Sequence, residues 1–470
     1  MSSQAKARIP AGHLPFEMRF IYAALAIALF AGFGIGAHMA FIIGLQMPLH
    51  TGFQTYIQLH GHVQLIGWVG LFVMGVSLHV LPRLLSVAIS DRLWLHAILA
   101  CVAGGIALRT VTHSILPYVI GTPYFDALQW LSVLSAILEW LGIYIYLMLV
   151  LKLFLVSEPA RTRSLKAIRP FFAMQVFGWG VSALLNLGLL VRMASAGAPI
   201  AIPAWNQFNV ELFIGLVLLP VAFAFSIKML PLYLRLRGAD WSVRSMAAVY
   251  FIGFCAQILP QSPLFVQTFS QTSARIVAVG AVVKAIAILY FIYQLDVLTR
   301  SKSSWREQVD AKPKEDRRPT RAGLPDYGEF GRFERLISAA YSWLALAALF
   351  DVFYAIGDQL GLALPHKFDL VRHLYLVGFI TMLILGMAVR MLPGFLGKKR
   401  VASTWLVDAT FWLGNLAVVC RVLPLIVTFP ALNQLATLVR LAEIAFACSG
   451  VFGILAIICL AVNLRKTANA

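Results

Sequence analysis

The chain has 470 residues, 60% of them hydrophobic and only 12% charged, with a mean hydropathy of +0.82. That balance excludes a water-soluble globular enzyme and a disordered chain, and places the protein in the polytopic membrane class. A formal net charge of +18 would suit nucleic acid, but no soluble basic fold is encoded to present it, so no nucleic-acid partner is expected.

Twelve apolar runs approach or exceed the roughly 20 residues that a bilayer core demands. They fall at about 19–46, 58–84, 93–116, 127–155, 169–194, 207–234, 243–262, 272–298, 334–362, 369–397, 403–430 and 433–464, numbered here as spans 1 to 12. Each is expected to be a helix, since backbone groups in lipid must be satisfied within the segment. No cleavable signal peptide is expected, because the first apolar run begins only near Ile21 and has no cleavage site before the next span. Basic residues then alternate along the chain. Lys6, Arg8 and Arg19 precede span 1; Arg83 and Arg92 lie between spans 2 and 3. Lys152, Arg161, Arg163, Lys166 and Arg169 follow span 4, and Arg235, Arg237 and Arg244 follow span 6. The charged segment 299–333, too short for a domain, follows span 8; Lys398, Lys399 and Arg400 follow span 10, and Arg465 and Lys466 end the chain. The other loops are nearly free of Lys and Arg, so both termini are expected in the cytoplasm, at a bacterial-type inner membrane. The five Cys lie within spans with no CxxC spacing, and read as packing residues.

With that topology His38, His50, His60, His62, His113, His366 and His373 fall towards the outer face, against His13, His79 and His96 inside. An interfacial imidazole hydrogen-bonded to a neighbouring helix is the plainer account of any one of them. Seven together make metal or cofactor binding the competing account, because neutral imidazole is the commonest metal ligand and ionisable groups within spans default to function. Successive helical side chains turn by about 100°, so His60 and His62 point about 200° apart and cannot both ligate one iron. Mid-membrane, Glu139, Lys284 and Asp351 read equally as a proton or ion path and as neutralising pairs that fix helix packing.

Span 2 repeats. Counting from His62, Gly67, Gly75, His79 and Leu81-Pro82 stand at offsets matched from His373 by Gly378, Gly386, Arg390 and Leu392-Pro393. A fainter copy begins at Glu211, with Ala224, Lys228 and Leu230-Pro231 in register. Spans 2, 6 and 10 (58–84, 207–234 and 369–397) therefore anchor three units of four helices, a pseudo-threefold 3 × 4 arrangement of one polytopic domain. The glycines allow either close helix contact or a flat ligand against the backbone. His79, about 25 Å along the helix from the outer anchors, cannot share their metal and reads as a structural or headgroup residue.

The His-x-His of span 2, followed by Gly at five and thirteen and Pro at twenty residues, resembles the NnrS proteins, haem- and copper-containing membrane proteins linked to nitric oxide. The run from His373 through Gly378 to Arg390 is similar to that family's late helix. More distantly, the chain resembles subunit I of the haem-copper oxidases, whose helices two and ten each supply a His to a low-spin haem. The resemblance implies a haem, of b type, held by His373 with His60 or His62, and a second haem or a copper at the other His with His38 or His113. It also implies nitric oxide as a ligand or substrate, and a quinol or cytochrome as electron donor. Three departures stand out: Val371 occupies the place of the oxidases' second His on helix ten, Glu211 that of a copper-binding His nine residues before Pro220, and span 7 has no paired histidines. An oxidase-type dinuclear centre is therefore not expected, although Glu211 is retained as a metal candidate.

Arginine placement points the same way. Arg109, Arg192, Arg275, Arg372, Arg421 and Arg440 lie towards the outer face against the cytoplasmic bias, and Arg109, Arg372, Arg421 and Arg440 are the expected holders of haem propionates. Any one of them could instead snorkel to lipid headgroups. The competing functions are a transporter or a non-enzymatic sensor on the same helix array; repeats that run in one direction and conspicuous imidazoles favour haem.

Overall fold

The structure is a computed structural model, which describes residues 13–89, 91–268, 270–302, 321, 324, 326–429 and 434–470. Lys6, Arg8 and most of the charged segment 299–333 lie outside the described residues. The protein is an all-α polytopic membrane protein: twelve helices are long and apolar enough to cross a membrane, and no strand occurs among the described residues. The spans run Met18–Gly44, Phe53–Leu85, Arg92–Tyr118, Tyr124–Val156, Arg169–Ser195, Pro203–Leu234, Val243–Gln261, Ser273–Leu295, Phe333–Gln359, Lys367–Phe395, Thr404–Val427 and Ala436–Asn469. Their outer surfaces carry large apolar side chains such as Phe30 (82% exposed) and Leu155 (76%), as lipid-facing helices require.

Polar residues move two boundaries beyond the apolar runs. Span 2 starts at Phe53 because its first turns, though polar, are tied down: buried Gln58 donates to Ala201 O (2.8 Å) and accepts from Ala201 N (3.2 Å). Span 12 continues to Asn469 because Asn463 and Thr467 accept from the backbone N–H groups of Ser403 (3.0 Å) and Ala402 (2.9 Å), at the start of span 11. All five cysteines are free thiols.

The sequence repeat has a backbone counterpart. Spans 2, 6 and 10 are 78%, 78% and 83% buried over their most apolar stretch, against 39–50% for the other nine, so they are the interior helices. Each passes into a π-helical segment just after its anchor: Val63–Gly70 after His62, Ile214–Leu218 after Glu211, and Leu374–Thr381 after His373. Each carries an internal proline near its C-terminal end, Pro82, Pro231 and Pro393. Each then turns through a left-handed residue 24 positions after its anchor: Ser86 (φ 55°), Arg235 (φ 52°) and Gly397 (φ 72°). Only Gly397 adopts that conformation without steric cost.

The chain divides into two compact units, one of residues up to Lys166 with Val176–Phe213 and Gly394–Lys398, the other of Ala167–Gln175, Ile214–Pro393 and Lys399–Ala470. Within each, the repeat glycines serve helix contact. A Cβ at Gly67 would lie 2.5 Å from Ile27 and one at Gly75 2.6 Å from Phe20; in the second unit, one at Gly378 would lie 2.7 Å from Trp343 and one at Gly386 3.0 Å from Leu336. Of the two uses left open by the sequence, close packing is the one seen at these four positions.

Candidate functional site

In the first unit, span 2 sends the two imidazoles near its N-terminal end in different directions, as the helical turn dictates. His60 turns to span 1, where its Nδ1 donates to Gly32 O at 2.9 Å and its ring fills the space above Gly36. His62 turns to span 4, with Nε2 2.6 Å from Glu139 Oε2; the two side chains are 10% and 2% exposed. Glu139 is buried beside Gly105, whose missing side chain admits it: a Cβ there would lie 2.7 Å from Glu139 Cγ.

Span 3 contributes Arg109 and His113, one helical turn apart and both buried. Arg109 donates from Nη1 to Asn186 Oδ1 at 2.6 Å, and its Nε–H has no acceptor. It lies within electrostatic reach of both His62 and Glu139. His113 feels Arg109 and His62 and has no hydrogen-bond partner at Nε2. Four residues singled out by the sequence, His62, Arg109, His113 and Glu139, are thus gathered in one buried polar cluster. Beside them is a cavity of about 30 Å³, lined by His62 and Glu139 together with Trp179, Ser182, Asn186, Asn209 and apolar neighbours.

In the second unit, His373 ends the first α-helical turns of span 10. Its Nδ1 donates to Asp369 O at 2.6 Å and lies 3.0 Å from Asp369 Oδ1. Asp369 also accepts from Arg421 Nη2 (3.4 Å), whose guanidinium stacks 4.3 Å from the Phe446 ring and whose Nε–H has no acceptor. Arg372 lies over the Phe368 ring at 5.3 Å. Deeper in the same unit, Lys284 Nζ lies 2.7 Å from Asp351 Oδ2; Tyr375 OH donates to that oxygen at 2.7 Å, and Gln257 Nε2 to Oδ1 at 3.2 Å.

Other expected site residues stand apart. His38 is exposed, its ring 6.3 Å from that of Tyr56. Arg440, 60% exposed, pairs with Glu443 at 3.1 Å on its own helix, and Arg275 is exposed. Glu211 is half-buried. Among the described residues, no three His, Cys, Asp or Glu side chains gather as a metal-ligand set. Towards the C-terminal ends of spans 2 and 10, the repeat equivalents are packed against aromatic rings: His79 between Phe16 (5.0 Å) and Phe395 (4.4 Å), and Arg390 against Phe330 (4.2 Å) and Tyr233 (4.7 Å). His79 and Arg390 thus behave as structural residues.

The sequence reading passed over Asn186, Ser182, Trp179, Asn209 and Asp369. Asn186 in an apolar span was a signal available without the structure, since polar residues at membrane depth are costly. Asp369, four residues before His373, was another, because that spacing places both on one helix face. Compared with known proteins, the chain matches no protein-family model and no curated protein.

Proposed function

We propose that the protein is a haem-binding integral membrane protein of NnrS type, with His373 as one axial ligand, that binds or processes nitric oxide or passes electrons. The observation that carries this reading is the hydrogen bonding of His373. A ligating His commonly gives its second ring N–H to a carbonyl or carboxylate, which fixes the tautomer and ring orientation and raises the basicity of the other nitrogen. Asp369 serves His373 in this way, with Arg421 behind it. On this reading Nε2 of His373 is the nitrogen that would take the iron.

On span 2, two residues compete for the other axial position. His60 has the same Nδ1-to-carbonyl bond as His373, to Gly32, whereas His62 has the repeat position but holds Glu139 through Nε2. The repeat register favours His62, and the sequence resemblance leaves the position open to either. The Nε–H groups of Arg109 and Arg421 are donors for propionate carboxylates. A bound haem, of b type on this reading, supplies the iron at which a diatomic ligand binds or an electron is passed. A second haem or copper, and a quinol or cytochrome donor, rest on the sequence resemblance alone. The placement of both termini in the cytoplasm, at an inner membrane, rests on the distribution of basic residues among the loops.

The test is absorption and iron content of the purified full chain, produced with haem supplied, beside His373→Ala, His60→Ala and His62→Ala. A Soret band that is lost in His373→Ala and in one of the two span 2 variants is expected. A colourless, iron-free wild type, or a His373→Ala variant with undiminished haem, overturns the assignment.

A further inference from the structure

The cavity beside His62 and Glu139 has a property that the haem reading does not use. Four buried polar atoms with no hydrogen-bond partner belong to residues lining it: Glu139 Oε1, Trp179 Nε1, Ser182 Oγ and Asn209 Oδ1. Their parent side chains come from spans 4, 5 and 6, and Glu139, Trp179 and Ser182 are 2%, 0% and 4% exposed. A buried polar group left without a partner costs about 1–3 kcal/mol, and four on residues of one lining call for a common partner.

Their chemistry selects the occupant. Glu139 Oε1 and Asn209 Oδ1 accept, Trp179 Nε1–H donates, and the Ser182 hydroxyl does either. A metal cation would use only the acceptors, and an anion only the donors. Water uses both, donating two hydrogens and accepting two. The volume agrees: about 10–15 Å³ of such space holds one water, so about 30 Å³ holds two. Asn206 and Asn209, in the first turns of span 6, also line the cavity.

We infer that this cavity is an internal water site, in which one or two bound waters bridge Glu139 Oε1 to Ser182, Asn209 and Trp179 and so hydrate the His62–Glu139 pair from the span 6 side. The inference does not depend on haem, and its test reads water rather than iron.

The experiment is X-ray radiolytic labelling of the full chain in lipid nanodiscs, read by mass spectrometry residue by residue. Hydroxyl radicals made from bound water oxidise the side chains that touch it, even where bulk solvent has no access. Trp179 and Trp68 form an internal control, since they are 0% and 1% exposed and only Trp179 lines the cavity. Oxidation of Trp179 with Trp68 left intact is expected, together with loss of Trp179 oxidation in Asn209→Leu, which fills the cavity, and a reduced yield in Ser182→Val. If Asn209→Leu fails to fold, the contrast between the two tryptophans in the wild type decides alone. Trp179 as inert as Trp68, or oxidised equally in a folded Asn209→Leu variant, overturns the inference.

Discussion

Among the described residues, two buried pairs of ionisable side chains lie within the spans, and they are finished differently. Asp351 in the second unit is closed: Lys284 and Tyr375 occupy one carboxylate oxygen and Gln257 the other. Glu139 in the first unit is open: His62 occupies one oxygen, while the other lines the cavity without a protein partner. Both carboxylates come from apolar helices, and composition gave no reason to treat them differently. The difference teaches that an ionisable residue at membrane depth has two stable uses. Fully bonded, it fixes one helix against another; left with an unmet oxygen and room beside it, it holds a polar ligand.

The sharpest way to break this contrast is to remove one charge from the closed pair. Lys284→Met leaves Asp351 buried without its counter-ion, and a loss of about 3–5 kcal/mol is expected in unfolding of the protein in detergent. The double variant Lys284→Met with Asp351→Leu should recover most of that loss, because the cost lies in the unpaired charge rather than in the missing bond. No recovery in the double variant would mean that the pair does more than neutralise itself.

A smaller change tests how closed the pair is. Tyr375→Phe removes the hydrogen bond to Asp351, and about 1–2 kcal/mol of stability should go with it. Calorimetry of the two proteins side by side reads this directly, and an unchanged transition would show that the hydroxyl finds water instead.

The third test moves to a carboxylate outside the spans, where bulk pH reaches. Burial alone would raise the Asp296 carboxyl, but hydrogen bonds from Thr299 and Ser301 hydroxyls and from the Lys302 and Ser301 amides outweigh it and hold the group below its ordinary range. A depressed folded value stabilises the protein above the unfolded value of about 3.9, and that contribution is lost as pH falls through the folded value. Asp296→Asn should therefore lower stability by about 1 kcal/mol near neutral pH. It should also flatten the acid limb of the stability profile. Equal acid limbs in the two proteins would remove Asp296 from the account.

The smallest effect belongs to the open side. Ser182→Ala deletes a hydroxyl that meets no protein group, so stability should change by less than about 0.5 kcal/mol. A loss as large as that of Tyr375→Phe would mean that Ser182 has a protein partner after all, and that the two regions are more alike than their geometry indicates.

Much of this was legible in the chain because lipid allows few solutions. Twelve helices follow from apolar length and from the need to satisfy backbone groups internally, and their ends were placed within a few residues except where Gln58, Asn463 and Thr467 extend them. The repeat could be read from His62, Glu211 and His373, and the divergence of His60 from His62 from the helical turn alone. Partner choice was not legible. His62 and Glu139 are 77 residues apart, and Lys284 and Asp351 lie on helices that no spacing rule brings together. The single-turn geometry that supports His373 is local, yet Asp369 was passed over, and its second partner, Arg421, is 52 residues away.

The π-helical segments have a mechanical consequence. A π turn holds one residue more than the α turn it replaces, and that residue rotates everything beyond it by about 100°. In span 2 the segment Val63–Gly70 separates the outer imidazoles from the inner half, where Gly75 meets Phe20 and His79 meets Phe395. The two ends of the helix are thus geared to each other. Anything that winds the π turn into α turns the half beyond it like a key without lengthening the helix by more than about 1.5 Å. A shift that would be negligible as a translation becomes, as a rotation, enough to present a different face of span 2 to its neighbours.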